Sequence, residues 1–131
     1  MDGGCVEMVI NPYYESRIYI GSVKNTDQRP SLIREPALLE TIGKQQEQYK
    51  TIIPIRLSST TFVSGTNYEE DGWEIAAINY PRVYASIEEI DEFMLILGRR
   101  LLTEFWQHRV GIVNPKEIIM LTQEEDRYED Q

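Results

Sequence analysis

The order of apolar patterns along the chain predicts an α+β domain, with a mainly antiparallel β-sheet and two helices packed on one of its faces. Two stretches repeat apolar residues at three- and four-residue steps, as amphipathic helices do. Several shorter runs are rich in β-branched and aromatic residues, which favours strands. Strands and helices follow one another without a regular βαβ alternation, which argues against a parallel sheet. The length of 131 residues fits a single domain, which we place at residues 1–122, followed by an acidic flexible tail at residues 123–131.

The N-terminal region is predicted to form a β-hairpin. Residues 6–10 and residues 17–23 contain mostly Val, Ile, Met and Tyr, and Asn11-Pro12 between them is a turn signal. A polar loop at residues 24–31 follows.

The first helix is placed at residues 36–49, with Pro36 at its first position, where the missing N–H group has no cost. Its apolar stripe is predicted to contain Leu38, Leu39, Ile42 and Tyr49. Lys44, Gln45, Gln46, Glu47 and Gln48 are predicted to face water.

The centre of the chain is predicted to be strand-rich. Residues 51–57 contain Pro54, which cannot donate to a β-ladder and indicates an edge strand or a bulge. Residues 58–64 continue this strand, bent, or form a separate one. Residues 65–72 are predicted to be an acidic loop, and residues 73–80 a strand that ends at Pro81.

The longest pattern is a helix at residues 86–107, predicted to be largely buried against the sheet, or between the sheet and a partner chain. Ser86 and Glu89 have the spacing of a capping box, and the apolar face is wider than a coiled-coil seam. Gly98 in its interior indicates that another backbone packs closely there. A hairpin at residues 109–113 and 117–121 follows, and we expect it to lie beside the strand at residues 73–80.

Composition excludes several classes of function. The chain has 22 acidic and 13 basic residues and a net charge of −9, so it lacks the general basic surface of nucleic-acid binders and of proteins that bind anionic membranes. Cys5 is its one cysteine, and no run is as long as a membrane span. No signal peptide is visible, so we expect a cytoplasmic protein, in the host cytoplasm if a phage encodes it.

No catalytic, phosphate-binding or metal-binding motif is recognisable, and we expect no cofactor. His108 is the one histidine, and at the end of a helix it is expected to cap carbonyl groups or lie on the surface. Glu69, Glu70, Asp71 and Glu74 lack the spacing of a calcium loop and are interpreted as solvated.

The arginines are the predicted ligand-binding residues. A few converging guanidinium groups can bind a small anion inside an acidic protein. Arg56, Arg82, Arg109 and Arg29 are the candidates, with Tyr80 as a stacking face for a base. The alternative for each arginine is an ion pair with a nearby acidic residue.

The layout resembles that of the phage Thoeris anti-defence proteins, which sequester immune signals of the cyclic ADP-ribose type. The segments that carry the resemblance cover most of the chain up to Leu121: residues 53–57, 71–76, 80–82, the long helix, and residues 107–110. The resemblance implies a homo-oligomer without enzymatic activity. It also implies a nucleotide pocket near the subunit interface, built from arginines and a stacking aromatic ring.

Two functions from different classes therefore stand at this stage. The first is a protein that sequesters a small anionic cyclic nucleotide and counters a bacterial defence system. The second is a homo-oligomeric structural or regulatory domain that binds other proteins and has no small-molecule ligand, and an enzyme is third. Both of the first two include self-association, as a homodimer or a higher assembly of dimers, because the long helix has more apolar width than one sheet face needs.

Overall fold

The computed structural model describes residues 5–25 and 30–123. Its main element is a five-stranded sheet in the order β4-β5-β1-β6-β7, in which every neighbouring pair is antiparallel. β2 and β3 form a separate two-stranded ladder. The α+β class, the antiparallel sheet and the two packed helices are confirmed. The elements are β1 (Glu15–Gly21), β2 (Val23–Lys24), β3 (Ser31–Leu32), α1 (Glu35–Gln48), β4 (Ile55–Val63), β5 (Glu69–Ile78), α2 (Ile87–Glu104), β6 (Arg109–Asn114) and β7 (Glu117–Thr122).

The central strand is β1, and its neighbours differ from the predicted ones. It pairs with β5 on one side and β6 on the other, so the predicted N-terminal hairpin is wrong. Residues 6–10 form no strand, and Val6 is 96% exposed. The prediction that the C-terminal hairpin lies beside the strand at residues 73–80 is also wrong, because β1 lies between them. Ser16, Ile18 and Ile20 alternate into the core, and hydrogen bonding on both edges makes this strand central.

β4 is an edge strand, as Pro54 indicates. It starts at Ile55, directly after this proline, and continues to Val63 as one strand. The predicted acidic loop is shorter than expected. Ser64 N–H donates to the Tyr68 carbonyl at 3.0 Å, and β5 already begins at Glu69. The acidic residues from Glu69 onward therefore belong to a strand, which gives alternate side chains opposite directions.

α2 begins with the predicted capping box. Ser86 Oγ accepts from Glu89 N–H at 3.1 Å, and Glu89 Oε1 accepts from Ser86 N–H at 2.9 Å. The helix ends at Glu104, earlier than predicted, because Trp106 has a φ of 52°. This left-handed conformation ends helices and is uncommon for a residue with a large side chain.

α2 packs across the sheet and carries much of the core. Phe93, Leu97 and Leu101 have no exposed surface. A Cβ atom on Gly98 would lie 3.0 Å from Ile112 Cδ1. The close packing expected at this glycine is therefore present, but it involves side chains of the sheet and not a backbone.

α1 completes the helical layer through Leu38 and Ile42, which belong to the same core. Two details of its predicted stripe are wrong. Leu39 is 50% exposed, whereas Gln45 is 6% exposed and accepts from Arg100 Nη1 of α2 at 3.2 Å. The contact with α2, and not the sheet alone, decides which side of α1 is buried.

The face of the sheet opposite the helices, here called the open face, carries exposed apolar side chains. Phe62 is 39% exposed, Met120 57% and Ile118 73%. Most of the apolar width of α2 is covered within the chain, so the long helix offers little apolar surface to a partner. Exposed apolar side chains lie instead on the sheet and in residues 6–10. Within the described residues, no helix is both long enough and apolar enough to cross a membrane.

Candidate functional site

A groove of about 500 Å³ runs along the open face, between the β4–β5 end and the start of β6. Side chains from all five strands of the large sheet face it, together with β2 and loop residues, because outward residues of neighbouring strands lie side by side in an antiparallel sheet. We call it the open-face groove, and its lining includes Tyr19, Gly21, Phe62, Glu70, Gln107, His108, Arg109, Gly111, Val113, Ile118 and Met120.

Two aromatic rings form one wall of the groove. Tyr19 and Phe62 meet edge to face, with their ring centroids 5.6 Å apart. They lie on β1 and β4, with β5 between them. Gly72 of β5 makes room for this contact, since a Cβ atom there would lie 3.2 Å from Phe62 Cε2 and 2.4 Å from the Ile20 carbonyl oxygen. The pair offers an aromatic surface to a planar ligand.

A carboxylate and a guanidinium lie at the rim of the same groove. Tyr68 donates its hydroxyl to Glu70 Oε1 at 3.0 Å, and this bond raises the pKa of Tyr68 while the charge of Arg109 opposes the shift. The other oxygen of Glu70 lies 3.6 Å from the point where a Cβ on Gly21 would stand. The carboxylate therefore leans over the end of β1, and the groove combines negative, positive and aromatic groups.

Gln107 fixes the geometry of this end of the groove. Its Oε1 accepts from Gly21 N–H at 2.9 Å, and its Nε2 donates to the carbonyls of Val23 at 2.9 Å and Phe105 at 3.0 Å. This buried amide joins the end of β1 to the segment after α2, and so places His108 and Arg109. His108 is exposed, in agreement with the expected surface position.

Arg56 lies in a second cluster on the open face, where acidic residues already hold it. Its Nη2 lies 3.3 Å from Glu15 Oε2 and 3.5 Å from Glu74 Oε2. Arg17 Nε donates to the same Glu15 oxygen at 2.7 Å, and Tyr13 donates its hydroxyl to the other oxygen at 2.5 Å. These donors, Arg17 first, lower the pKa of Glu15 to about 2. Arg56 is therefore in ion pairs with acidic residues, which is the alternative to ligand binding given for each arginine in the sequence analysis.

The predicted ligand-binding residues are spread over several places. Arg56 and Tyr80 line one small cavity of about 280 Å³, so these two lie together. Arg109 lies in the open-face groove, and Arg82 is exposed in the connection between β5 and α2. Arg29 lies outside the described residues.

Sheet register separates the two leading arginines. Arg17 of β1 is a common reference for both. Arg56 and Arg17 both pair with Ala76 of β5, so they lie at the same level of the sheet. On the other side of β1, Arg17 pairs with Val113 of β6, and Arg109 lies four residues along β6 from Val113. Three strand spacings and four residues along a strand separate their Cα atoms by about 19 Å. The two guanidinium groups therefore belong to different sites.

Sequence reasoning missed the groove residues Tyr19, Phe62 and Glu70. The residues around Glu70 were interpreted as a loop because acidic side chains are rare in buried strands. A signal was present, since the turn residues Gly65-Thr66-Asn67 end before Tyr68, an aromatic residue typical of strands. Among the described residues, no group of three or more His, Cys, Asp or Glu side chains could hold a metal ion.

Comparison with known proteins identifies the fold. No protein-family model matches the sequence, and a search of curated proteins found no match. Two solved structures match over nearly their whole length. A phage SAM lyase in complex with S-methyl-5'-thioadenosine has a TM-score of 0.64 and 16% identity, and the match covers 92% of this chain and 97% of that one. A phage SAM lyase in the apo state has a TM-score of 0.63 and 20% identity, over 92% and 98% of the two chains.

The chain has the fold of a phage SAM lyase. The prediction of a protein without enzymatic activity is therefore wrong, because this fold belongs to an enzyme. The resemblance to Thoeris anti-defence proteins holds only at a coarse level. Like them, the phage SAM lyase is a phage protein with a small nucleoside-type ligand, S-methyl-5'-thioadenosine.

Proposed function

We propose that the protein is a lyase that acts on S-adenosylmethionine (SAM) in the open-face groove. The observation that carries the proposal is the combination of the Tyr19–Phe62 ring pair, the Glu70 carboxylate and the Arg109 guanidinium in one groove of about 500 Å³. SAM has an aromatic base, a sulfonium cation and a carboxylate, and so needs one partner of each kind. The fold shared with a SAM lyase supports this choice of substrate.

Each part of the substrate has a partner of matching chemistry. The adenine packs against the exposed ring of Phe62, beside Tyr19. The sulfonium faces Glu70, since a carboxylate attracts a cation strongly where little water separates them. Arg109 binds the carboxylate of the amino-acid part, for which a guanidinium is the usual partner.

The proposed reaction breaks the bond between the sulfur and the Cγ atom of the four-carbon amino-acid part. The electron pair of this bond goes to sulfur, which becomes the neutral thioether of S-methyl-5'-thioadenosine. The substrate carboxylate attacks Cγ and closes a five-membered lactone, so no proton or water enters the step. Charge is neutralised in the transition state, and removal of water from the groove therefore favours it.

The central experiment is incubation of the purified protein with SAM, followed by mass spectrometry of the products. S-methyl-5'-thioadenosine and a four-carbon lactone should appear together in equal amounts. Glu70→Gln should lower kcat/KM by about ten- to hundredfold, the range for loss of a hydrogen bond or contact to a charged group. Glu69→Gln is the matched control, because the next residue of β5 points to the other face and should leave the rate unchanged.

The predicted arginines are tested in the same assay. Arg109→Ala should weaken SAM binding by about ten- to hundredfold, and His108→Ala should have little effect, because none of the proposed substrate contacts involves His108. Arg56→Ala, Arg82→Ala and Tyr80→Ala test the small cavity and the β5–α2 connection. If they abolish turnover while Arg109→Ala does not, the site lies outside the open-face groove.

Calorimetric titration separates the remaining functions. Binding of cyclic ADP-ribose isomers, with no turnover of SAM, would show that the ligand is the predicted cyclic nucleotide and not SAM. Absence of heat with SAM, S-methyl-5'-thioadenosine and these nucleotides would favour a protein-interaction domain. The exposed apolar side chains of Ile118 and Met120 are the observation that favours this second function.

A further inference from the structure

We infer that a second cavity, on the helical side of the sheet, binds a small aliphatic ammonium ion. The cavity has about 320 Å³ and lies between the N-terminal half of α2 and strands β1, β6 and β7. This volume is at the lower end of the range for small-molecule sites. We call it the Ser16 cavity, after the residue on its floor.

An unsatisfied polar group lies at the floor of the cavity. Ser16 is completely buried, and its Oγ has no hydrogen-bond partner among the described residues. A buried hydroxyl without a partner is costly, and most such groups in native proteins are hydrogen-bonded. Because Ser16 lines the cavity, a ligand inside could provide the missing bond.

Apart from the amide of Asn114, the walls beside Ser16 are apolar. Leu95, Ile112 and Ile119 form these walls, and Ile112 is 2% exposed. Such walls favour the methylene groups of a ligand over an inorganic ion, which would lose its water shell without compensation.

The rim is negatively charged. The carboxylates of Asp91, Glu92 and Glu117 lie around it. One oxygen of Asp91 accepts from the ammonium of Lys116 at 2.6 Å, and the other accepts from the hydroxyl of Tyr14 at 2.6 Å. Glu92 accepts from the Tyr49 hydroxyl at 2.5 Å, and Lys50 Nζ lies 3.9 Å from it.

Glu117 makes no ion pair among the described residues, so the rim keeps an excess of negative charge. The combination of carboxylates, apolar walls and an unsatisfied hydroxyl matches an aliphatic ammonium ion with a polar group at its far end. Its ammonium head would lie at Glu117, its methylene groups would contact the apolar walls, and its polar end would bond to Ser16 Oγ.

The test is a titration of the full-length protein with n-butylammonium, followed by amide shifts in NMR spectra, with 1-butanol as the uncharged control. Shifts should concentrate in β1, α2 and the β6–β7 hairpin, and butylammonium should bind at least several-fold tighter than butanol. Glu117→Gln should weaken butylammonium binding two- to fivefold and leave butanol unchanged.

Ser16→Ala separates a binding role from a structural one. It should leave the melting temperature unchanged or raise it, since it removes an unsatisfied buried hydroxyl. It should also weaken binding of 4-amino-1-butanol, which carries a donor at its far end, about two- to tenfold.

Three outcomes would overturn the inference. They are equal affinities for butylammonium and butanol, absence of shifts at tens of millimolar ligand, and a lower melting temperature in Ser16→Ala.

Discussion

Replacement of Glu15 with glutamine tests whether the ion-pair cluster on the open face stabilises the sheet. Glu15 lies on the central strand, and its carboxylate is only 10% exposed between two guanidinium groups. Glutamine removes the charge but keeps an oxygen that can accept from the Tyr13 hydroxyl. The variant therefore isolates the electrostatic part of the interaction.

The magnitude follows from the pKa of Glu15, which falls from the ordinary 4.5 to about 2 in the folded protein. One pKa unit corresponds to about 1.4 kcal/mol, which sets a ceiling of about 3 kcal/mol. Arg17 and Arg56 are 42% and 57% exposed, so water screens the attraction. We expect a loss of about 1–2 kcal/mol in the free energy of unfolding at pH 7.

The dependence on pH has a definite sign. Because the pKa is lower in the folded state, the stabilisation is fully present above about pH 4.5. It is lost as the pH falls toward 2, when Glu15 becomes protonated in the folded protein as well. The difference between wild type and Glu15→Gln should therefore be constant from pH 5.5 to 8 and shrink below about pH 4.5.

The assay is urea denaturation of both proteins at a series of pH values. Glu40→Gln is the control, because Glu40 is 68% exposed in an i,i+4 pair with Lys44 at 3.4 Å. It should change the free energy of unfolding by no more than about 0.5 kcal/mol. A Glu15→Gln variant as stable as wild type at pH 7, or a difference that grows with acidity, would refute the reasoning.

The remaining predictions concern the core, the tail and assembly. Leu97 has no exposed surface, so Leu97→Asp would bury an unpaired charge. It should lower the free energy of unfolding by several kcal/mol, measured by chemical denaturation. Gly72→Ala should cost about 1–3 kcal/mol, because its Cβ would lie 2.4 Å from a backbone oxygen, and a melting temperature equal to wild type would contradict this. Truncation after Gln123 should leave the melting temperature unchanged, whereas removal of Gln123 itself should lower it, since its amide donates to the carbonyls of Leu102 at 2.8 Å and Gln107 at 3.0 Å. Sedimentation should show a dimer or higher assembly at micromolar concentration, and a protein that stays monomeric there would contradict this.

The sequence by itself determined the features that depend on neighbours in the chain. The Ser86–Glu89 capping box joins residues three apart, and the buried face of α2 repeats within one helix. Pro54, which lacks a donor whatever its surroundings, indicated an edge strand or a bulge, and β4 begins directly after it at the edge of the sheet. These signals need no knowledge of the rest of the fold, because the interactions form within one or two turns.

Only the tertiary structure decided which strands meet, and with them the site. The residues of β1 pair with residues of β5 and β6 that lie more than fifty positions further along the chain. The apolar pattern of a short strand is much the same whichever strand lies beside it, so the sequence does not identify the partner. Tyr19 and Phe62 become one wall of a groove only through this pairing, and Glu70 joins them because β5 begins before the expected loop ends. Arg56 forms ion pairs with acidic residues that are distant in the sequence. The distance between Arg56 and Arg109 is set by the register of the sheet, which follows from long-range packing.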